Sequence, residues 1–175
     1  AQQDAETLIP LMFLLIFVAI ALIVRSLWAA AFTIVVVLVS VAITIGITGW
    51  FGVYLSTATV NAPTMITTLA VADCIHIIVG VKYYLSQGLG TKEAIQKSID
   101  VNRKPIFITS ITTAIGFIML NSSAVPVLAH LGNMTALGVM LACVFSLTIL
   151  PSLLTLRPLK ASTAIRNTVF KHWAL

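Results

Sequence analysis

A chain of 175 residues that is 59% apolar and only 9% charged, with a mean hydropathy of +1.09, is excluded from the soluble class, whose domains carry roughly a quarter charged residues. Its net charge of +5 suggests nucleic acid as a partner. The basic residues, however, are spread over three segments beside apolar runs, where topology and anionic lipid headgroups account for them, so no nucleic acid is expected.

Crossing a hydrocarbon core of about 30 Å takes roughly 20 mostly apolar residues. Five stretches meet that length: 8–24, 28–50, 62–84, 105–121 and 131–156. Short loops join them, so the chain reads as an all-α membrane protein, a five-helix transmembrane bundle with no soluble domain of ordinary size. It starts AQQDAETL, with Asp4 and Glu6 before the first span and no initiator Met or basic residue. A signal peptide has the opposite pattern, so residues 1–7 read as the end of an extracytoplasmic domain and residue 1 as lying inside a longer protein.

Only a few residues around Arg25 and Ser26 join the first two spans, which sets them as an antiparallel hairpin. Asn61 and Pro63 are suited to cap and start the third span, and Pro105 to the first turn of the fourth. Between those two, Gly88 and Gly90 break the chain and Thr91 caps a short helix, 91–103. Its residues Ala94, Ile95, Ile99 and Val101 form a rough apolar stripe, which places it along the membrane surface; a solvated spacer is the competing reading. Pro151 either kinks the last span or begins its exit. Beyond it, residues 158–175 read as an interfacial linker, with Ile165, Val169 and Phe170 among Arg166, Lys171 and Trp173.

All ten Lys and Arg fall on one side of such a chain: Arg25; Lys82, Lys92, Lys97, Arg103 and Lys104; Arg157, Lys160, Arg166 and Lys171. The opposite loops, 51–61 and 122–130, carry no charge unless His130 is protonated. The positive-inside rule therefore places the N-terminus outside and the C-terminus in the cytoplasm. Trp28, Trp50, Tyr54, Tyr83 and Tyr84 stand at span ends, as an aromatic belt requires.

Asp73 is the residue that calls for chemistry. It stands about ten residues from either end of the third span, roughly 15 Å deep, where a carboxylate costs about 2.5–3.5 kcal/mol on insertion scales. Intramembrane acids face protein or water and mark ion or proton paths. His76 follows three residues later on the same helical strip as Leu69, Asp73 and Gly80, so the two could titrate as one coupled pair. The competing readings are a structural hydrogen bond between helices for Asp73, and a hydroxyl or carbonyl partner for His76.

In the fourth span Thr109, Thr112, Thr113 and Gly116 recur at helical spacing. Such a stripe either packs two helices closely or lines a proton path beside Asp73. No metal site or cofactor is expected, because zinc needs at least three ligands and His130 and His172 fall on opposite sides of the membrane. Cys74 and Cys143 read as small apolar residues within spans. No catalytic triad is supported, so the chain is not expected to be an enzyme.

Three runs, APTMITTLAVADCIHIIVG, KEAIQKSIDVNRKPIFITSITTAIGFIML and LGNMTALGVMLACVFSLTILPSLL, together resemble the RND superfamily of exporters, especially its lipid-exporter-like branch. The most specific piece is the short helix followed by Arg-Lys-Pro and TSITTAIGF, and the similarity extends from about Asp4 to Pro158. The resemblance implies that the five spans are helices two to six of a six-helix RND half, the first half of the parent, with a large extracytoplasmic domain preceding them. It implies partners in the second half, the extracytoplasmic domains, membrane lipids and a hydrophobic substrate, in a bacterial inner membrane. It further implies proton-motive-force-driven export, with Asp73 as the intramembrane acid. Some members place an aromatic residue directly after that acid; here Cys74 stands there and His76 follows. The alternative from the same superfamily is a sterol-sensing-type module that binds lipid without pumping, and such a sensor has no need of a titrating acid in the bilayer.

Overall fold

The computed structural model describes Leu15, Val18, Ala21, residues 26–53, Ser56, residues 59–157 and Leu159. The first expected span and the 158–175 linker therefore lie outside the described residues, apart from Leu15, Val18, Ala21 and Leu159. Among the described residues there are four long helices and no strand: α1 Leu27–Trp50, α2 Ala62–Ser86, α3 Thr91–Ile118 and α4 Pro126–Leu156. Each is long and apolar enough to cross a membrane, and the protein is an all-helical membrane bundle.

Local chemistry sets the helix ends. The Ser26 hydroxyl accepts from the Ala29 amide at 3.4 Å and caps α1, satisfying one of the orphan donors of a first turn. Proline opens α2 and α4, where its missing N–H costs nothing. Gly88, at a φ of 89°, reverses the chain between α2 and α3, a conformation that side chains with a Cβ resist.

The helices approach closely because small residues line their contacts. A Cβ on Gly138 of α4 would run into the Ile66 side chain of α2 and lie 3.1 Å from Thr44 Oγ1 of α1, so three helices meet there. Along α1 the buried hydroxyls of Thr33, Ser40, Thr44 and Thr48 donate to the carbonyls of Ala29, Val36, Ser40 and Thr44, four residues back. Each is satisfied within its own helix, which leaves a narrow face for packing.

The largest departure from the sequence expectation concerns α3. The surface helix expected over 91–103 and the span expected over 105–121 form one continuous helix, with Pro105 in its interior. Proline cannot donate to the Val101 carbonyl, but Val101 is exposed beside Asp100, Arg103 and Lys104, where water can satisfy that carbonyl. One turn further on, Thr109 donates to Pro105 O at 3.0 Å and to Ile106 O at 2.9 Å. The stripe of the 91–103 segment turns to protein and not to a lipid surface. Ala94 and Ile95 are buried in a cluster with Val81 of α2, with Ile99, Tyr84, Leu85 and Leu89 packed around it, whereas Val101 is exposed. Likewise α4 begins at Pro126, earlier than residue 131, and runs through Pro151 to Leu156.

At the other end of the bundle, Asn121 and Asn133 exchange side-chain hydrogen bonds of 2.8 and 3.0 Å and tie the end of α3 to the start of α4. Both are exposed, and cross-helix polar pairs in membranes average about 0.6 kcal/mol. A double-mutant cycle with Asn121→Leu and Asn133→Leu, read by thermal unfolding in detergent, is expected to return a coupling near that value. A coupling of zero would mean that the pair does not form.

Candidate functional site

The inward face of α2 is built from Ala62, Ile66, Ala70, Cys74, Ile77, Ile78 and Val81, all buried. Asp73 borders this apolar face and is itself only 8% exposed. It stands eleven residues after Ala62 and thirteen before Ser86, about 16 and 20 Å along the helix axis. Its carboxyl group is therefore held at mid-helix and largely covered by the bundle. Among the described residues none gives it a hydrogen bond or an ion pair. A buried carboxylate left without partners is unfavourable in a way that protonation relieves.

Two sulfur side chains lie within reach of its charge. Cys74 adjoins it on α2, and Cys143 of α4 lies close enough to feel its charge. Ser110 of α3 and Cys143 of α4 are both buried and neighbour one another, so α3 and α4 meet beside the acid-bearing helix. Of the other titratable groups on the packed elements, α1 contains none, those of α3 from Lys92 to Lys104 are exposed, and on α2 Lys82 is buried.

The other candidates from the sequence do not gather around Asp73. His76 is exposed on the outer side of α2. Thr109 and Thr112 are exposed, and Thr113 is half-buried. Thr112 donates to its own helix, to Ile108 O at 2.9 Å and Thr109 O at 3.0 Å. The face that α3 turns inward carries Ile106, Ser110 and Ala114 instead. No atom lies within 4 Å of where a Gly116 Cβ would stand, so close approach occurs at Gly80, Gly132 and Gly138 and not there.

Sequence reasoning missed Ser110 and Cys143, and also Thr67 and Thr135. The last two are buried hydroxyls with no hydrogen-bond partner among the described residues. The available signal was a four-residue spacing of small side chains, Ser110 and Ala114 on α3 and Gly138, Ala142 and Ser146 on α4, which outlines a helix-packing face.

Four helices long and apolar enough to cross a membrane make this an integral membrane protein, and Asp73 stands midway along one of them. The chain belongs to the MMPL family, whose family model matches residues 1–173. That family is one of RND-type membrane transporters, in agreement with the resemblance of the three runs. One relative, the Methanocaldococcus jannaschii protein MJ1562, named as a membrane protein, is 29% identical over 120 residues, or 69% of this chain. The match takes in 31% of that relative, so this chain spans about a third of its length. No solved structure matches.

Proposed function

We propose that this chain is part of the transmembrane proton-coupling domain of an exporter of hydrophobic or lipid-like molecules driven by the proton-motive force. The observation that carries the reading is Asp73, a buried mid-helix carboxyl group without a hydrogen-bond or ion-pair partner among the described residues. Protonation changes the side chain from a charged acceptor into a neutral group, and so changes which neighbour α2 prefers. One proton crossing the membrane releases about 2.3 kcal/mol per 100 mV, enough to bias a conformational equilibrium of a few kcal/mol.

The partners are the second six-helix half with its extracytoplasmic domains, the membrane lipids and the hydrophobic cargo. His76 and the Thr109–Thr112–Thr113 stripe lie toward the outside of this bundle, and they enter the relay only through groups that the second half supplies. The location is a bacterial inner membrane, N-terminus outside and C-terminus in the cytoplasm. Supporting this orientation, Lys82, Lys92, Lys97 and Arg157 lie toward the end of the bundle where α2 and α4 finish and α3 begins, and Arg103 and Lys104 fall in the first half of α3.

The intact protein in vesicles, with a pH gradient imposed and a fluorescent lipid as cargo, is expected to move cargo only while the gradient lasts. Transport that continues undiminished after a protonophore collapses the gradient would overturn proton coupling.

A further inference from the structure

One buried hydroxyl in the bundle behaves differently from its counterparts. The α1 hydroxyls bond the helix that carries them, the usual outcome for Ser and Thr in a helix. Ser98 of α3 instead reaches across and donates to the Ile77 carbonyl of α2 at 2.7 Å, and it is completely buried there. The Asn102 side chain braces it, donating to Ser98 O at 2.8 Å and lying 3.4 Å from Ser98 Oγ. Gly80 makes this approach feasible: a Cβ at that position would collide with Ser98 Oγ and come within 3.1 Å of Asn102 Nδ2.

Ile77 is four residues after Asp73, so its carbonyl lies about one turn further along α2 than the acid. The Ser98 hydroxyl is thus fastened to α2 about one turn from Asp73. The same α3 segment, through Ala94 and Ile95, shares a buried cluster with Ile77, Ile78 and Val81. The polar tie and the apolar cluster together lock the second half of α2 to the first half of α3.

We propose that Ser98 is a positioning residue for Asp73, making α2 and the 91–104 segment of α3 move as one body when the acid gains or loses its proton. This rests on the proton-carrier reading above. Ser98 touches neither cargo nor the carboxyl group. Its role is to fix where α2 holds Asp73 relative to groups brought by the second half. The titratable and charged groups nearest this stretch are Cys74, His76 and Lys82 of α2, Cys143 of α4 and Asp100 and Arg103 of α3, and none of them is altered by changing Ser98.

The test uses the full-length transporter in vesicles and compares wild type, Ser98→Ala, Asn102→Ala and Asp73→Asn. Loss of one hydrogen bond that counts in the moving step corresponds to about a fivefold to tenfold fall in turnover. Ser98→Ala is therefore expected to show that fall, with apparent KM for the cargo unchanged within about twofold and the pH midpoint of transport displaced by about half a unit or more. A purely structural role would lower the amount of folded protein and leave the midpoint of the remainder in place, and that result overturns the proposal. If Ser98→Ala does not fold, Asn102→Ala, which loosens the brace and keeps the hydroxyl, must show the same displacement in smaller measure; an unmoved midpoint again overturns it. Wild-type transport by Asp73→Asn would defeat the proton-carrier reading itself, whereas a dead Asp73→Asn beside a wild-type-like Ser98→Ala defeats the positioning role alone.

Discussion

Asp73→Asn in the intact protein is expected to reduce gradient-driven efflux to background while leaving the bundle as stable as wild type or more so. Asparagine matches aspartate closely in size and shape, so the packing against Cys74 and beside Cys143 survives. What disappears is the ability to bind and release a proton. An ionised carboxylate in the hydrocarbon layer costs several kcal/mol on most scales, and a neutral amide costs less. Since Asp73 has no hydrogen bond or ion pair among the described residues, the substitution leaves no charged partner stranded, and that stranding is what makes breaking a buried pair expensive. Intact folding with lost transport is therefore the signature of a proton carrier. A structural acid predicts the reverse, a weakened bundle whose folded fraction still pumps. Thermal unfolding in detergent and efflux in vesicles, measured on the same preparation, separate the two outcomes. Undiminished efflux would sink the proton-carrier assignment.

The membrane class and the positions of two long helices were legible because an apolar stretch of sufficient length has few alternatives. The expected 28–50 and 62–84 fall on α1 Leu27–Trp50 and α2 Ala62–Ser86. The depth of Asp73 followed from counting along the helix. What could not be read was which way each helix faces. In water, an apolar face announces the core, but in lipid the outward face is equally apolar and hydropathy loses its contrast. On α3 two rows compete, Thr109–Thr112–Thr113–Gly116 and Ile106–Ser110–Ala114, and only packing against the neighbouring helices selects the second. The break expected at Pro105 failed for a related reason. A proline begins a helix when its missing N–H is free to be lost there, but a segment packed on α2 through Ala94, Ile95 and Ser98 carries the helix through it.

Gly132 marks the contact where the cost of a single added carbon is largest. A Cβ there would strike the Phe117 carbonyl oxygen of α3 and sit 3.0 Å from Leu120 Cβ. The obstacle is backbone, which cannot rotate aside as the Ile66 side chain facing Gly138 can, so α3 and α4 must separate. Alanine is the better helix former by about 0.5–1 kcal/mol, and overpacking a close contact costs typically about 1–3 kcal/mol. The overpacking term is the larger, and Gly132→Ala is expected to destabilise the bundle by about 1–2 kcal/mol, with Gly132→Leu failing to give a folded bundle. Gly46 of α1 supplies the control, because a Cβ there meets nothing within 4 Å. Gly46→Ala should keep the propensity gain alone and unfold at the wild-type temperature or slightly above it. Equal unfolding temperatures for Gly132→Ala and Gly46→Ala would mean that α3 and α4 do not approach so closely. The placement of Ser110 beside Cys143, one helix away from Asp73, would then fall with that contact, since the α3–α4 interface positions all of them.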